Sequence, residues 1–115
     1  MLRALLLACA LVIAACQSAP REKSPAPAAE TINGLAVHGG DGSSVAKAVE
    51  IMASTASEGV PAEYAWIRAR YPGAKPSGTS LITSGGKYYD AIYIVTAEGK
   101  EMTVYFDISK YMGKL

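Results

Sequence analysis

Between Tyr88 and Ile108 the chain reads as two alternating runs, Tyr88 to Thr96 and Glu101 to Ile108, separated by Ala97-Glu98-Gly99-Lys100. That turn suits a type I bend with Gly99 in the left-handed region, and it fixes which residues face each other. A three-residue loop with a bulge at Gly99 pairs Thr96 with Lys100. It then sets Ile94 opposite Met102, Ile92 opposite Val104 and Asp90 opposite Phe106 on one face. Tyr93/Thr103, Ala91/Tyr105 and Tyr89/Asp107 fall on the other. A two-residue loop would exchange the faces of one strand and bring Asp90 directly against Asp107, a costly like-charge pair. The bulged register is therefore expected.

A third strand-like run, Thr79 to Ser84, joins Tyr88 through Gly85-Gly86, two residues free to take positive φ. The three runs make an antiparallel meander. Upstream, Val60-Pro61-Ala62-Glu63 places proline in a first helical turn and an acid near the positive end of the helix dipole. The stripe Val60, Tyr64, Ile67, Tyr71 follows, and Pro72-Gly73 stops it, which predicts a helix over 61–70. Residues 48–54 fit a helix through Val45, Val49, Met52 and Ala56, and a strand through Val49, Ile51 and Ala53. The β-branched pair favours the strand. Ile32 to Val37 is a short apolar segment. His38-Gly39-Gly40-Asp41-Gly42-Ser43-Ser44 is a loop organised by an Asx turn, since it matches neither a phosphate loop nor a calcium loop and holds one carboxylate. The expected fold is α+β, a small antiparallel sheet of a three-stranded meander plus a fourth strand, with one helix on one face.

The N-terminal residues are of a different kind. Arg3 is followed by an uncharged run from Ala4 to Ala15, the length of a signal h-region and short of the roughly 20 residues that span a bilayer. The run closes on Ile13-Ala14-Ala15-Cys16, which resembles a bacterial lipobox. The resemblance implies cleavage before Cys16, lipidation of its thiol and, with Gln17 rather than Asp following, an outer-membrane address facing the periplasm. Leu6-Leu7-Ala8-Cys9 is similar but follows too short an apolar run. From Gln17 to about Thr31 the chain turns to Ala, Pro, Ser and scattered charge, which cannot bury enough surface to order itself. Residues 1–15 are thus expected as leader, 16–31 as lipidated cysteine and tether, reaching on the order of 45 Å, and 32–115 as one domain.

Charge and cysteine content narrow the function. The whole chain carries a formal net charge of +1, too little to steer it toward nucleic acid or anionic lipid. Lipidation would consume Cys16, and Cys9 would leave with the leader. The domain is then left with no disulfide and no thiolate metal site, and no cofactor is expected. Its core alone must hold it together, as a monomer once freed of its anchor.

Chemistry is sparse in the sequence. His38 is the single histidine and sits beside glycine in a loop; no serine lies in a nucleophile-elbow pattern. Asp90 and Asp107 would make a carboxylate pair for acid–base work only in the disfavoured register. A periplasmic hydrolase using Asp90, Asp107 or His38 is the alternative reading. The leading one is a non-enzymatic domain that binds a protein or a cell-wall component. All seven tyrosines fall between residues 64 and 111, and protein interfaces favour tyrosine. Tyr89, Tyr93 and Tyr105 share a face and are the candidate contacts.

The pieces Gly40-Asp41-Gly42-Ser43-Ser44, Ala62-Glu63-Tyr64-Ala65-Trp66-Ile67, Tyr89-Asp90 and Tyr105-Phe106-Asp107-Ile108-Ser109 are similar to a group of small bacterial proteins of unknown function. The similarity covers roughly residues 39–114. It implies a single domain and transfers no activity to any residue.

Overall fold

A computed structural model describes residues 30–115. The leader, Cys16 and all but the last two residues of the tether lie outside it. Six strands form one mixed sheet: β1 Glu30–Ile32, β2 Leu35–Gly39, β3 Val49–Ile51, β4 Lys75–Ser84, β5 Lys87–Val95 and β6 Glu101–Asp107, in the spatial order β1-β2-β3-β6-β5-β4. Among the described residues a single α-helix, α1 Ala56–Arg70, packs on one face. The class is α+β as expected, but the sheet is larger and is not purely antiparallel.

The meander forms in the register expected of it. Tyr93 lies opposite Thr103, Ile92 opposite Val104 and Asp90 opposite Phe106. The Thr96 amide donates to the Lys100 carbonyl at 2.8 Å, and Gly99 takes φ +90°. Gly85 and Gly86 close β4 on β5 with φ +58° and +78°, the signature of a type I′ turn. β4 is longer than Thr79–Ser84; it extends back to Lys75 across a bulge between Pro76 and Gly78.

Two corrections enlarge the sheet. Ile32–Val37 is not one segment but part of a hairpin, because Asn33 and Gly34 adopt φ +54° and +81° and turn β1 onto β2. The strand expected over 48–54 is Val49–Ile51. It pairs antiparallel with β2 and parallel with β6, Val49 opposite Phe106 and Glu50 opposite Asp107. This parallel seam joins the N-terminal hairpin to the C-terminal meander. Ahead of the start of β3, the Gly42 carbonyl continues the seam along β6 by accepting from the Tyr105 amide at 2.8 Å. The loop before β3 holds the expected Asx turn, Asp41 Oδ1 accepting from the Ser43 amide at 3.0 Å and its hydroxyl at 2.6 Å.

The helix starts a turn and a half earlier than the proline suggested. Thr55 is the N-cap, its hydroxyl accepting from the Glu58 amide, while Glu58 Oε1 accepts from the Ser54 amide. This is close to a capping box. The Ala56 amide, one of the unpaired first-turn donors, is met by the Lys114 carbonyl at 2.7 Å. Pro61 therefore lies inside the helix, on its exposed side. The buried stripe is Gly59, Ala62, Glu63, Trp66 and Ile67, rotated from the predicted one, and Val60 is 39% exposed. Trp66 packs edge-on against Phe106 at 5.6 Å between ring centroids. Val49, Ile51, Ile92, Ile94, Val104 and Ile108 complete the core.

Candidate functional site

The face of the sheet away from the helix is built by residues that alternate with the core positions. Across its strands it runs His38, Glu50, Asp107, Tyr89 and Ile82 in one row, then Tyr105, Ala91 and Ser80, then Thr103, Tyr93 and Gly78. The three candidate tyrosines are brought together here, diagonal to one another around Ala91, which is only 1% exposed. They are not equivalent. Tyr93 is 39% exposed and Tyr105 half-buried, whereas Tyr89 is 8% exposed and belongs to the packing of the domain. The Tyr93 hydroxyl lies 2.8 Å from the Ser80 hydroxyl, which holds the ring along β4.

Two hollows flank this aromatic ridge. One, of about 400 Å³, is lined by Ser77, Tyr93, Glu101 and Thr103 with Ile94 and Met102. The other, of about 450 Å³, lies between Tyr89, Lys87, Asp107 and Glu50 on one side and the Val45–Ala48 turn on the other. Its carboxylates are partnered by lysines: Lys87 Nζ lies 3.7 Å from Asp107 Oδ2, and Lys110 Nζ lies 3.7 Å from Glu50 Oε2. Asp107 also caps the Ser109 amide at 3.0 Å.

The geometry does not assemble the carboxylate pair of the alternative reading. Asp90 and Asp107 project from opposite faces of the sheet, Asp90 toward the helix and Asp107 away from it. His38 is an exposed strand residue opposite Glu50, not a loop residue, and it does not line the hollow that Asp107 lines. Asp90 has a different neighbour, which the sequence reading missed.

That neighbour is Glu63, fully buried in the middle of the helix's packed face. The Tyr111 hydroxyl donates to its Oε2 at 2.6 Å, and Oε1 has no partner among the described protein groups. Burial pushes the carboxyl up to about 9, and the Asp90 carboxylate beside it adds to the rise, while the Tyr111 hydroxyl opposes it. Glu63 is consequently protonated at neutral pH. Oε2 accepts from Tyr111, and Asp90 is the second polar neighbour of this carboxyl. Burial, followed by the Glu63 carboxyl once it has ionised at high pH, also raises Tyr111 above the ordinary tyrosine range. The one available signal was a helical period with Glu63 on its buried side. A glutamate there looks like solvent-facing charge unless the stripe is placed correctly.

No family of proteins, no curated protein and no solved structure matches this chain.

Proposed function

We propose that the protein is an envelope lipoprotein, anchored through Cys16 in the outer membrane, whose domain binds a protein or cell-wall partner without chemistry of its own. The observation that carries the reading is the division of the sheet. The only α-helix among the described residues lies on one face, and the other offers Tyr93 and Tyr105 as an amphipathic ridge between two hollows. Such rings supply large contact area at small cost in side-chain entropy. Support from the anchor is independent of the fold: a leader-like run ending at Cys16, followed by a Pro/Ala tether, would hold the domain clear of a membrane surface.

The test is capture from the native envelope. The anchored wild-type chain and the pair Tyr93→Ala and Tyr105→Ala are cross-linked in place and compared with Asp90→Ala, Asp107→Ala and His38→Ala. Loss of the captured partner in the tyrosine variants alone supports the reading. Undiminished capture by both tyrosine variants, with loss of phenotype in the carboxylate or histidine variants, replaces it with the hydrolase.

A further inference from the structure

β4 ends the sheet. Among the described elements its sole pairing partner is β5, so its outer edge presents unpaired backbone groups. Which groups these are follows from the hairpin. A two-residue turn makes Ser84 and Lys87 a mutually hydrogen-bonded pair, and such pairs alternate with pairs that are not bonded to each other. Ile82 and Ser80 therefore bond inward to β5. Thr83, Leu81 and Thr79 turn their N–H and C=O groups outward.

Exposed strand edges are ordinarily guarded by lysine, proline or a bulge. Here Lys75, Pro76 and the bulge before Gly78 guard only the first part of β4. The rest, Thr79-Ser80-Leu81-Ile82-Thr83-Ser84, has no charge, no proline and no glycine. It also carries Leu81, 54% exposed, in a place the helix does not cover.

We infer that this edge pairs antiparallel with the same edge of a second copy, about a two-fold axis through Leu81. The stretch is self-complementary there. Leu81 meets Leu81, Thr79 meets Thr83 and Ser80 meets Ile82, each opposite residue on the same face of the joined sheet. All three outward-facing residues then find bonded partners, about six backbone hydrogen bonds in total. Shifting the axis to Ser80 or Ile82 drives one end into the bulge or the turn and leaves outward groups unpaired. Charge does not oppose association, since the edge is neutral and each chain has a formal net charge of only +1. This departs from the monomer that composition alone leads one to expect, because an edge is a property of strand order. It is independent of the tyrosine face.

A cysteine at the axis tests it. Bonded antiparallel residues sit about 5.5 Å apart at Cα, inside the range a disulfide needs, whereas Thr83 and its own copy would be about 14 Å apart. The full chain in detergent is oxidised with copper phenanthroline as Leu81→Cys, as Thr83→Cys and as wild type, which sets the background. The expectation is about tenfold more covalent dimer for Leu81→Cys than for the other two. Sedimentation should give a dimer for wild type and a monomer for Leu81→Lys, with thermal unfolding still cooperative. Equal cross-linking of Thr83→Cys, none above background for Leu81→Cys, or a dimeric Leu81→Lys would each overturn the proposal. So would Leu81→Cys joining a different protein, which would make the edge a site for a foreign strand.

Discussion

Tyr111 and Glu63, 48 positions apart in the chain, meet inside the core, the tyrosine hydroxyl donating to Glu63 Oε2 at 2.6 Å. The bond ties the last ordered turn of the chain to the middle of the helix. It also holds a carboxyl that is neutral at physiological pH.

That neutrality makes stability depend on pH with a definite sign. The carboxyl titrates near its ordinary 4.5 when unfolded and near 9 when folded. Between those values the folded state keeps a proton that the unfolded state has lost. Stability is accordingly fullest below about 4.5 and falls as pH rises through the window, by at most about 1.4 kcal/mol per pH unit from this group. Glu63→Gln keeps the shape and the acceptor for Tyr111 without the ionisation. It should stabilise the domain by about 1–3 kcal/mol at pH 8 and flatten the slope. Urea unfolding of both proteins at pH 5 and pH 8 decides it; an unchanged slope in the variant would reject the protonated carboxyl.

Removing the hydroxyl should act in the opposite direction. Tyr111→Phe leaves Oε2 buried without a donor, at a cost of about 1–3 kcal/mol. Gly59→Ala attacks the same site by volume, because a Cβ at Gly59 would run into the Tyr111 ring. About 1–3 kcal/mol of destabilisation is expected there as well. Since a Cβ at Gly59 would displace the ring whose hydroxyl serves Glu63, Gly59→Ala and Tyr111→Phe should not add in the double variant. Strict additivity in a thermal-denaturation cycle would mean that the ring is not seated as described.

On the aromatic face the tyrosines separate by exposure. Tyr93→Ala and Tyr105→Ala should alter partner capture with stability changed by about 1 kcal/mol or less. Tyr89→Ala, emptying a buried position, should cost about 3 kcal/mol or more whatever the domain binds. Circular dichroism melts alongside the capture assay distinguish these cases. A large stability loss at Tyr93 would assign that ring to the core instead.

The proposed anchoring rests on Cys16. One acyl chain gives marginal membrane affinity, and a second suffices for stable attachment at about 0.8 kcal/mol per buried CH₂. Cys16→Ser should abolish palmitate labelling and either release the protein from the membrane fraction or accumulate the precursor. Cys9→Ser should leave both unchanged. Label that follows Cys9 instead would move the start of the mature chain.

What could be read from the sequence is what short-range geometry dictates. The β5–β6 register was legible because Gly99 limits the turn and a slip would invert a strand's faces; the Asx turn at Asp41 and the stop at Pro72 are equally local. The hairpin at Asn33-Gly34 was also written in the sequence, in a dipeptide favouring positive φ at both positions, but the short apolar segment around it reads as a single run. The helix start was hidden by Pro61, which resembles a first-turn proline and draws attention from the Thr55 and Glu58 cap. Parallel pairing of β3 with β6 has no local signature, since its partners are more than fifty residues apart. Glu63 was illegible for the same reason: its partners Asp90 and Tyr111 become neighbours only after the sheet and the final turn are in place.

The parallel seam between Val49-Glu50 and Phe106-Asp107 also orders the assembly of the domain in time. The meander closes through short turns, each a local event, and can form as soon as its residues meet. The N-terminal hairpin is equally local. Joining them requires closing a loop that contains the helix and the first two strands of the meander, β4 and β5, so the entropic cost falls on that single step. The transition state for folding is therefore expected at the docking of β3 on β6, and substitutions at Val49 or Phe106 should slow folding more than equally destabilising ones at the Asn33-Gly34 turn.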